Sequence, residues 1–89
     1  MDKNQIREKI IDILINGVHV NRRRLEGKEN PDFIKDLEMD SLSLLELVEK
    51  VEKEFDIEVE DEELEKLSNM ESVVNFIETK IKNKGAEAP

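Results

Sequence analysis

The chain has 89 residues, enough for one small domain, and it contains no cysteine and a single histidine. These counts exclude disulfides, thiolate catalysis and multi-histidine metal sites, and they argue against a Ser-His-Asp hydrolase. No apolar run approaches the roughly 18 residues needed to cross a membrane, and the first residues do not resemble a signal peptide, so we expect a cytoplasmic protein.

The net charge of −9 is concentrated in one part of the chain. Residues 32–65 contain 15 acidic and 3 basic side chains, whereas the segments on either side are slightly basic. Such a surface repels nucleic acid and anionic lipid, and it attracts basic protein surfaces. The alternative interpretation is a solvated face that only keeps a small protein soluble.

Hydrophobic spacing predicts an all-α fold with three longer helices and one short helix. The first helix is expected over residues 3–16, capped by Asp2 together with Gln5 and ended by Gly17. A long connection follows over residues 17–39, and apolar side chains are expected to pin it onto the bundle. These side chains are Leu25, Phe33, Ile34 and Leu37.

The second helix is predicted over residues 41–55, with Asp40 as its N-cap. Its apolar stripe contains Leu42, Leu45, Val48 and Phe55, with Leu44, Leu47 and Val51 beside it. An extended loop over residues 56–60 leads to a short third helix over residues 61–67, whose acid-rich first turn suits the helix dipole.

The fourth helix is predicted from a capping box formed by Ser68 and Glu71. Its buried side chains are expected to be Val73, Val74, Phe76, Ile77 and Ile81. The tail lacks large apolar residues, so we expect a folded domain over residues 1–82 and a disordered tail over residues 83–89.

The most informative stretch surrounds the start of the second helix. It reads Phe33-Ile34-Lys35-Asp36-Leu37-Glu38-Met39-Asp40-Ser41-Leu42, and it continues through Glu46-Leu47-Val48 to Glu54-Phe55-Asp56-Ile57. This array resembles the acyl carrier protein family, which shows Asp-Ser-Leu, an upstream Phe-x-x-Asp-Leu, and Glu-Leu-Val and Glu-x-Phe-Asp-Ile downstream. The resemblance covers about residues 33–81 and implies a four-helix acyl-carrier-like bundle with a long first loop.

The resemblance implies a carrier rather than an enzyme. In that family a phosphopantetheinyl transferase moves 4′-phosphopantetheine from coenzyme A onto a serine, which is Ser41 here, flanked by Asp40 and Leu42. Acyl intermediates then ride on the arm as thioesters, for fatty-acid or related acyl-chain biosynthesis. Because the cofactor brings the sulfur, a chain without cysteine can take part in thiol chemistry.

The resemblance also implies two surfaces. Acidic residues of the second helix, here Glu46, Glu49 and Glu52, dock on basic patches of acyl-transfer and synthase enzymes. An acyl chain is sheltered by apolar side chains whose positions match Leu45, Val51, Val59, Leu64 and Leu67, although periodic aliphatic residues are more often plain core. We expect a monomer without bound metal, nucleic acid or membrane insertion.

Three features depart from the family pattern. Glu38 stands where a glycine is common, in a turn that other residues resist, and Ser43 replaces a frequent acid. Asn21-Arg22-Arg23-Arg24 is a basic patch in the first loop, either a solvated loop or a contact to a dedicated partner or to the chain's own acidic helix.

Other functions remain open from the sequence. An aminoacyl or polyketide-type carrier of a specialised pathway would share the fold and the serine, and an acidic protein-interaction bundle would lack the arm. A calcium-binding loop beginning at Asp36 fails, because Ser41 and Leu47 occupy the positions that require glycine and glutamate.

Overall fold

The computed structural model describes the backbone of residues 2–87 and the side chains of residues 2–83. Three longer helices form the bundle: α1 (Lys3–Asp12), α2 (Ser41–Phe55) and α3 (Met70–Glu87). A 3₁₀ helix over Asp61–Lys66, called the short helix below, lies between α2 and α3, and a single 3₁₀ turn over Arg22–Arg24 lies in the long first loop. The predicted all-α class is confirmed, since the described residues contain no strand beyond one isolated bridge.

Helix α1 begins with the predicted capping box. Oδ1 of Asp2 accepts a hydrogen bond from the Gln5 N–H at 2.8 Å, and the Asp2 N–H donates to Oε1 of Gln5 at 3.0 Å. After Asp12 the helix widens into one π-helical turn, Ile13–Gly17, which the sequence did not indicate. The helix ends at Gly17, where a Cβ atom would lie only 2.8 Å from Cδ of Lys50.

Helix α2 has the predicted bounds, and its core side chains are Leu47, Val48, Val51 and Phe55. Asp56 follows in the left-handed conformation and closes the helix, and the next N–H, from Ile57, donates to the Glu52 carbonyl. Leu42 is 72% exposed and Leu45 is 45% exposed. Two residues of the predicted apolar stripe are thus exposed, whereas Leu44 and Val48 near them pack in or against the core.

Helix α3 is capped by Asn69, whose Oδ1 accepts from the Ser72 N–H at 2.8 Å. The predicted capping box of Ser68 and Glu71 is wrong. The Ser68 carbonyl accepts from the Phe33 N–H, and the Glu71 N–H donates to Oδ1 of Asn30, so both residues face the long loop.

The buried face of α3 is narrower than predicted, because Phe76 and Ile81 are only half-buried. Val73, Val74 and Ile77 are buried as expected. The helix also extends to Glu87, beyond the predicted start of the tail at Asn83. Residues 88 and 89 lie outside the described residues, and the division into a folded domain and a disordered tail stays a prediction.

The long first loop closes the bundle through Phe33, which is fully buried together with Pro31. The Phe33 N–H donates to the Ser68 carbonyl at 3.0 Å, and the Met70 N–H donates to the Pro31 carbonyl at 3.1 Å. Leu37 is buried and Leu25 is half-buried, as predicted for residues that pin the loop. Ile34 is 50% exposed, so its predicted packing role is wrong.

We expect Phe33→Ala to lower the free energy of unfolding by about 3–5 kcal/mol, because it removes a fully buried ring and leaves a cavity. The neighbouring Ile34→Ala is the control, and its effect should stay within about 0.5 kcal/mol because that side chain faces solvent. Urea unfolding followed by circular dichroism measures both variants. Equal losses would contradict the role of Phe33 as the anchor of the loop.

Candidate functional site

Ser41 is the first residue of α2, and its position follows from a local cap. Asp40 has extended backbone angles, and its Oδ1 accepts from the Ser43 N–H at 2.8 Å, which starts the helix. The preceding residue, Met39, is buried, whereas Asp40 and Ser41 are exposed. The chain therefore leaves the core immediately before Ser41 and presents a primary alcohol at the positive end of a 15-residue helix.

The carboxylate of Asp40 is held ionised by its own helix. The Ser43 backbone N–H, and then the Ser43 hydroxyl, lower the pKa of Asp40 below its usual value. The residue before Ser41 therefore carries a negative charge whose position is fixed by the helix cap. This charge adds to the acidic surface that continues along α2.

Two exposed leucines lie next to Ser41. Leu42 follows it directly, and Leu45 is three residues further on the same side of the helix. Single exposed apolar side chains are ordinary, but a pair beside an accessible hydroxyl gives this end of the molecule an apolar contact surface.

The three predicted docking glutamates have different surroundings. Glu46 and Glu49 are exposed and three residues apart, so they share one face of α2. Glu52 is half-buried, and its Oε2 accepts from the Val59 N–H at 3.2 Å. The Glu52 carboxylate therefore stabilises the loop after α2, a structural role that sequence reasoning missed.

Glu38 adopts the left-handed conformation that glycine favours, with φ of 54°. The turn before the serine is therefore kept although its residue has a side chain. Nη2 of Arg24 contacts Oε2 of Glu38 at 2.8 Å, and both side chains are largely exposed. This ion pair joins the early part of the first loop to its last residues, which lead into Ser41. Sequence reasoning noticed both residues but did not connect them.

A small apolar cavity of about 10 Å³ lies between α2, α3 and the loop after α2. Three of the five residues predicted to shelter cargo line it, namely Val51, Val59 and Leu67. Leu64 packs half-buried against the core elsewhere, and Leu45 is near the exposed start of α2. The other lining residues are Leu47, Val48, Val73, Phe76 and Ile77.

Comparison of the sequence with known proteins indicates one family. The family model described as the phosphopantetheine attachment site matches residues 17–77. The chain belongs to the acyl carrier protein family. It is 36% identical over 77 residues to an acyl carrier protein of Chlorobium phaeobacteroides, covering 86% of this chain and 96% of that protein.

Two further relatives agree. An acyl carrier protein of Clostridium acetobutylicum is 43% identical over 70 residues, covering 79% of this chain and 88% of the relative. An acyl carrier protein of Akkermansia muciniphila is 42% identical over 78 residues, covering 88% of this chain and 95% of the relative. The family consists of carriers rather than catalysts, its members interact with synthase and transferase enzymes, and its cofactor is 4′-phosphopantetheine.

The residues at the start of α2 fit this cofactor. An exposed hydroxyl at the positive end of a helix suits a phosphodiester, since an anion is stabilised there. Within the described residues, no helix combines the length and apolar character required of a membrane span.

We expect Glu38→Gly to raise the free energy of unfolding by about 0.5–1 kcal/mol. Glycine relieves the cost of a left-handed residue, which outweighs the loss of an exposed ion pair. Glu38→Gln is the control: it removes only the ion pair, so it should lower stability by less than about 0.5 kcal/mol. Thermal unfolding of both variants decides, and a glycine variant less stable than the glutamine variant would contradict the expectation.

Proposed function

We propose that this chain carries acyl intermediates as thioesters on a 4′-phosphopantetheine arm attached to Ser41, in fatty-acid or related acyl-chain biosynthesis. The main support is the exposed Ser41 hydroxyl at the start of α2, inside the matched attachment-site region. The thiol of the arm supplies the sulfur chemistry that a chain without cysteine lacks.

Ser41 is the best candidate among the four serines of the chain. Ser43 and Ser72 are half-buried, and the backbone N–H of each is held by the cap of its helix. Ser68 is exposed, but it lies in the loop before α3, where its carbonyl accepts a hydrogen bond from the Phe33 N–H. Only Ser41 combines exposure with the first position of a long helix.

The partners we propose are a phosphopantetheinyl transferase and acyl-transfer and synthase enzymes with basic docking surfaces. Glu46 and Glu49 would face the basic patches, with Glu52 at the edge of the same surface, while Leu42 would supply apolar contact beside the arm. The fixed charge of Asp40 supports this arrangement, because charge complementarity speeds encounter and sets orientation.

We also propose that the small cavity is the site at which an acyl chain begins to enter the bundle. Val51, Val59 and Leu67 would contact it first, because they line the cavity, whereas Leu45 and Leu64 do not line it. Action as a monomer and a cytoplasmic location stay predictions.

Intact-protein mass spectrometry tests the arm directly. The wild-type chain, incubated with coenzyme A, magnesium and a broad-specificity phosphopantetheinyl transferase, should gain the mass of one phosphopantetheine. Ser41→Ala should gain none, because the acceptor hydroxyl is gone.

The matched control is Ser68→Ala, which removes another exposed serine hydroxyl and should be modified like the wild type. If Ser41→Ala were still modified and Ser68→Ala were not, the arm would be attached to Ser68 and the proposal would be wrong. If the folded wild type accepted no arm, the chain would instead be an acidic protein-interaction bundle.

We expect Glu46→Lys to lower the rate of acyl transfer by basic partner enzymes by about tenfold, since reversing a charge on the docking face replaces attraction with repulsion. Glu58→Lys makes the same charge change in the exposed loop after α2 and should have less than a twofold effect. Steady-state transfer assays on the arm-bearing proteins measure both. Equal rates for the two variants would remove Glu46 from the docking face.

A further inference from the structure

The first loop contains a basic turn that an ion pair joins to the residues just before Ser41. Arg22–Arg24, called the basic turn from here on, forms one 3₁₀ turn in which all three side chains are exposed. The Arg24 guanidinium reaches Glu38, as described above. Three trans peptides separate Glu38 from Ser41, so their Cα atoms lie at most about 11 Å apart.

The basic turn has a defined conformation. Oδ1 of Asn21 accepts from the Arg23 N–H at 2.9 Å, and the Leu25 N–H donates to the Arg22 carbonyl at 3.0 Å. On either side, Val20 and Leu25 pack half-buried against the core. The backbone that carries the three guanidinium groups is therefore anchored to the core on both sides.

Arg22 and Arg23 have no ion-pair partner among the described side chains, residues 2–83. Both charges lie in the first loop of a chain of net charge −9, in which the neighbouring segment carries 15 acids. Arg24 holds the turn against Glu38, and the other two positive charges remain available to an approaching molecule.

Any enzyme that acts on the Ser41 hydroxyl must cover this region. A protein interface of ordinary size buries about 800 Å² on each partner, a patch roughly 30 Å across. A patch centred on Ser41 therefore includes Glu38, Arg24 and the first turns of α2. A partner with a uniformly basic face would bring like charge towards the basic turn, which disfavours that partner.

We propose that the basic turn is part of the surface bound by the phosphopantetheinyl transferase that modifies this chain. This transferase carries acidic side chains opposite the basic turn and basic side chains opposite α2. The pairing of both signs fixes the orientation of the two proteins and selects this carrier over uniformly acidic ones. The inference rests on the proposed attachment of the arm to Ser41.

The test uses the phosphopantetheinyl transferase from the organism that encodes this chain, with coenzyme A and magnesium. Arg22→Gln/Arg23→Gln should lower kcat/KM for arm transfer by about tenfold, mainly through a higher KM. The matched control, Lys9→Gln/Lys53→Gln, also removes two positive charges, but at the far end of α2. Lys53 lies 12 residues, or about 18 Å, from Ser41 along the helix, and Lys9 contacts the adjacent Glu54. The control should stay within twofold of the wild type.

The broad-specificity transferase provides the second readout. It should load both double variants fully, which shows that they are folded and that Ser41 still accepts the arm. Unchanged kcat/KM of the Arg22→Gln/Arg23→Gln variant with the organism's own transferase would overturn the inference and leave the proposed function intact. No arm on the wild type from either transferase would instead overturn the proposed function.

A nucleic-acid role for the basic turn is the competing outcome. Fluorescence anisotropy with labelled single-stranded DNA and RNA oligonucleotides measures it on the same proteins. Binding by the wild type that the Arg22→Gln/Arg23→Gln variant loses, combined with unchanged arm transfer, would assign the turn to nucleic acid and contradict the proposal.

Discussion

The start of α2 depends on how the long first loop is fastened to the residues before α3. Phe33 fills the core, and its N–H pairs with the Ser68 carbonyl, while the Met70 N–H pairs with the Pro31 carbonyl. The Phe33 carbonyl in turn accepts from the Met39 N–H at 3.0 Å, which brings the chain to the edge of the core. Asp40 can then cap the helix and expose the serine. The presentation of Ser41 is thus a tertiary property, because it is set by contacts between segments more than 30 residues apart.

Much of this architecture could be predicted from local rules. The caps at Asp2 and Asp40 act over three residues, and α2 was bounded correctly because its cap and its apolar spacing agree. The cap of α3 could not be chosen in this way. Ser68 and Asn69 are both good cap residues, and the pairing of Ser68 with the distant Phe33 leaves the role to Asn69. Likewise, periodicity finds the apolar side of a helix but not where the core ends, so it does not indicate that Leu42 and Leu45 are exposed.

At the candidate site, too, local features could be predicted and contacts between distant residues could not. The position of Ser41 at the helix start and the cap at Asp40 could be predicted because the array around Asp-Ser-Leu is contiguous in sequence. The contact between Arg24 and Glu38 joins residues on either side of a turn-rich stretch, and no periodic pattern indicates it. The hydrogen bond from the Val59 N–H to Glu52 could not be predicted either, because nothing in the sequence distinguishes Glu52 from the other glutamates of α2. Residues that act through a fold-dependent partner therefore had to be found in the structure.

The small size of the apolar cavity limits which cargo could be enclosed and how fast that cargo could be released. A space of about 10 Å³ accommodates roughly one water molecule, far less than even a short hydrocarbon. Under the proposed function, an acyl chain could be enclosed only if lining side chains such as Phe76 moved. The 3.0 Å ion pair between Glu63 and Lys80 ties the short helix to α3 and would oppose any separation of the two. Short cargo would therefore stay in solvent, where the next enzyme reaches it at once. Longer cargo would be withdrawn from hydrolysis, and its release would be limited by how often the bundle opens rather than by diffusion.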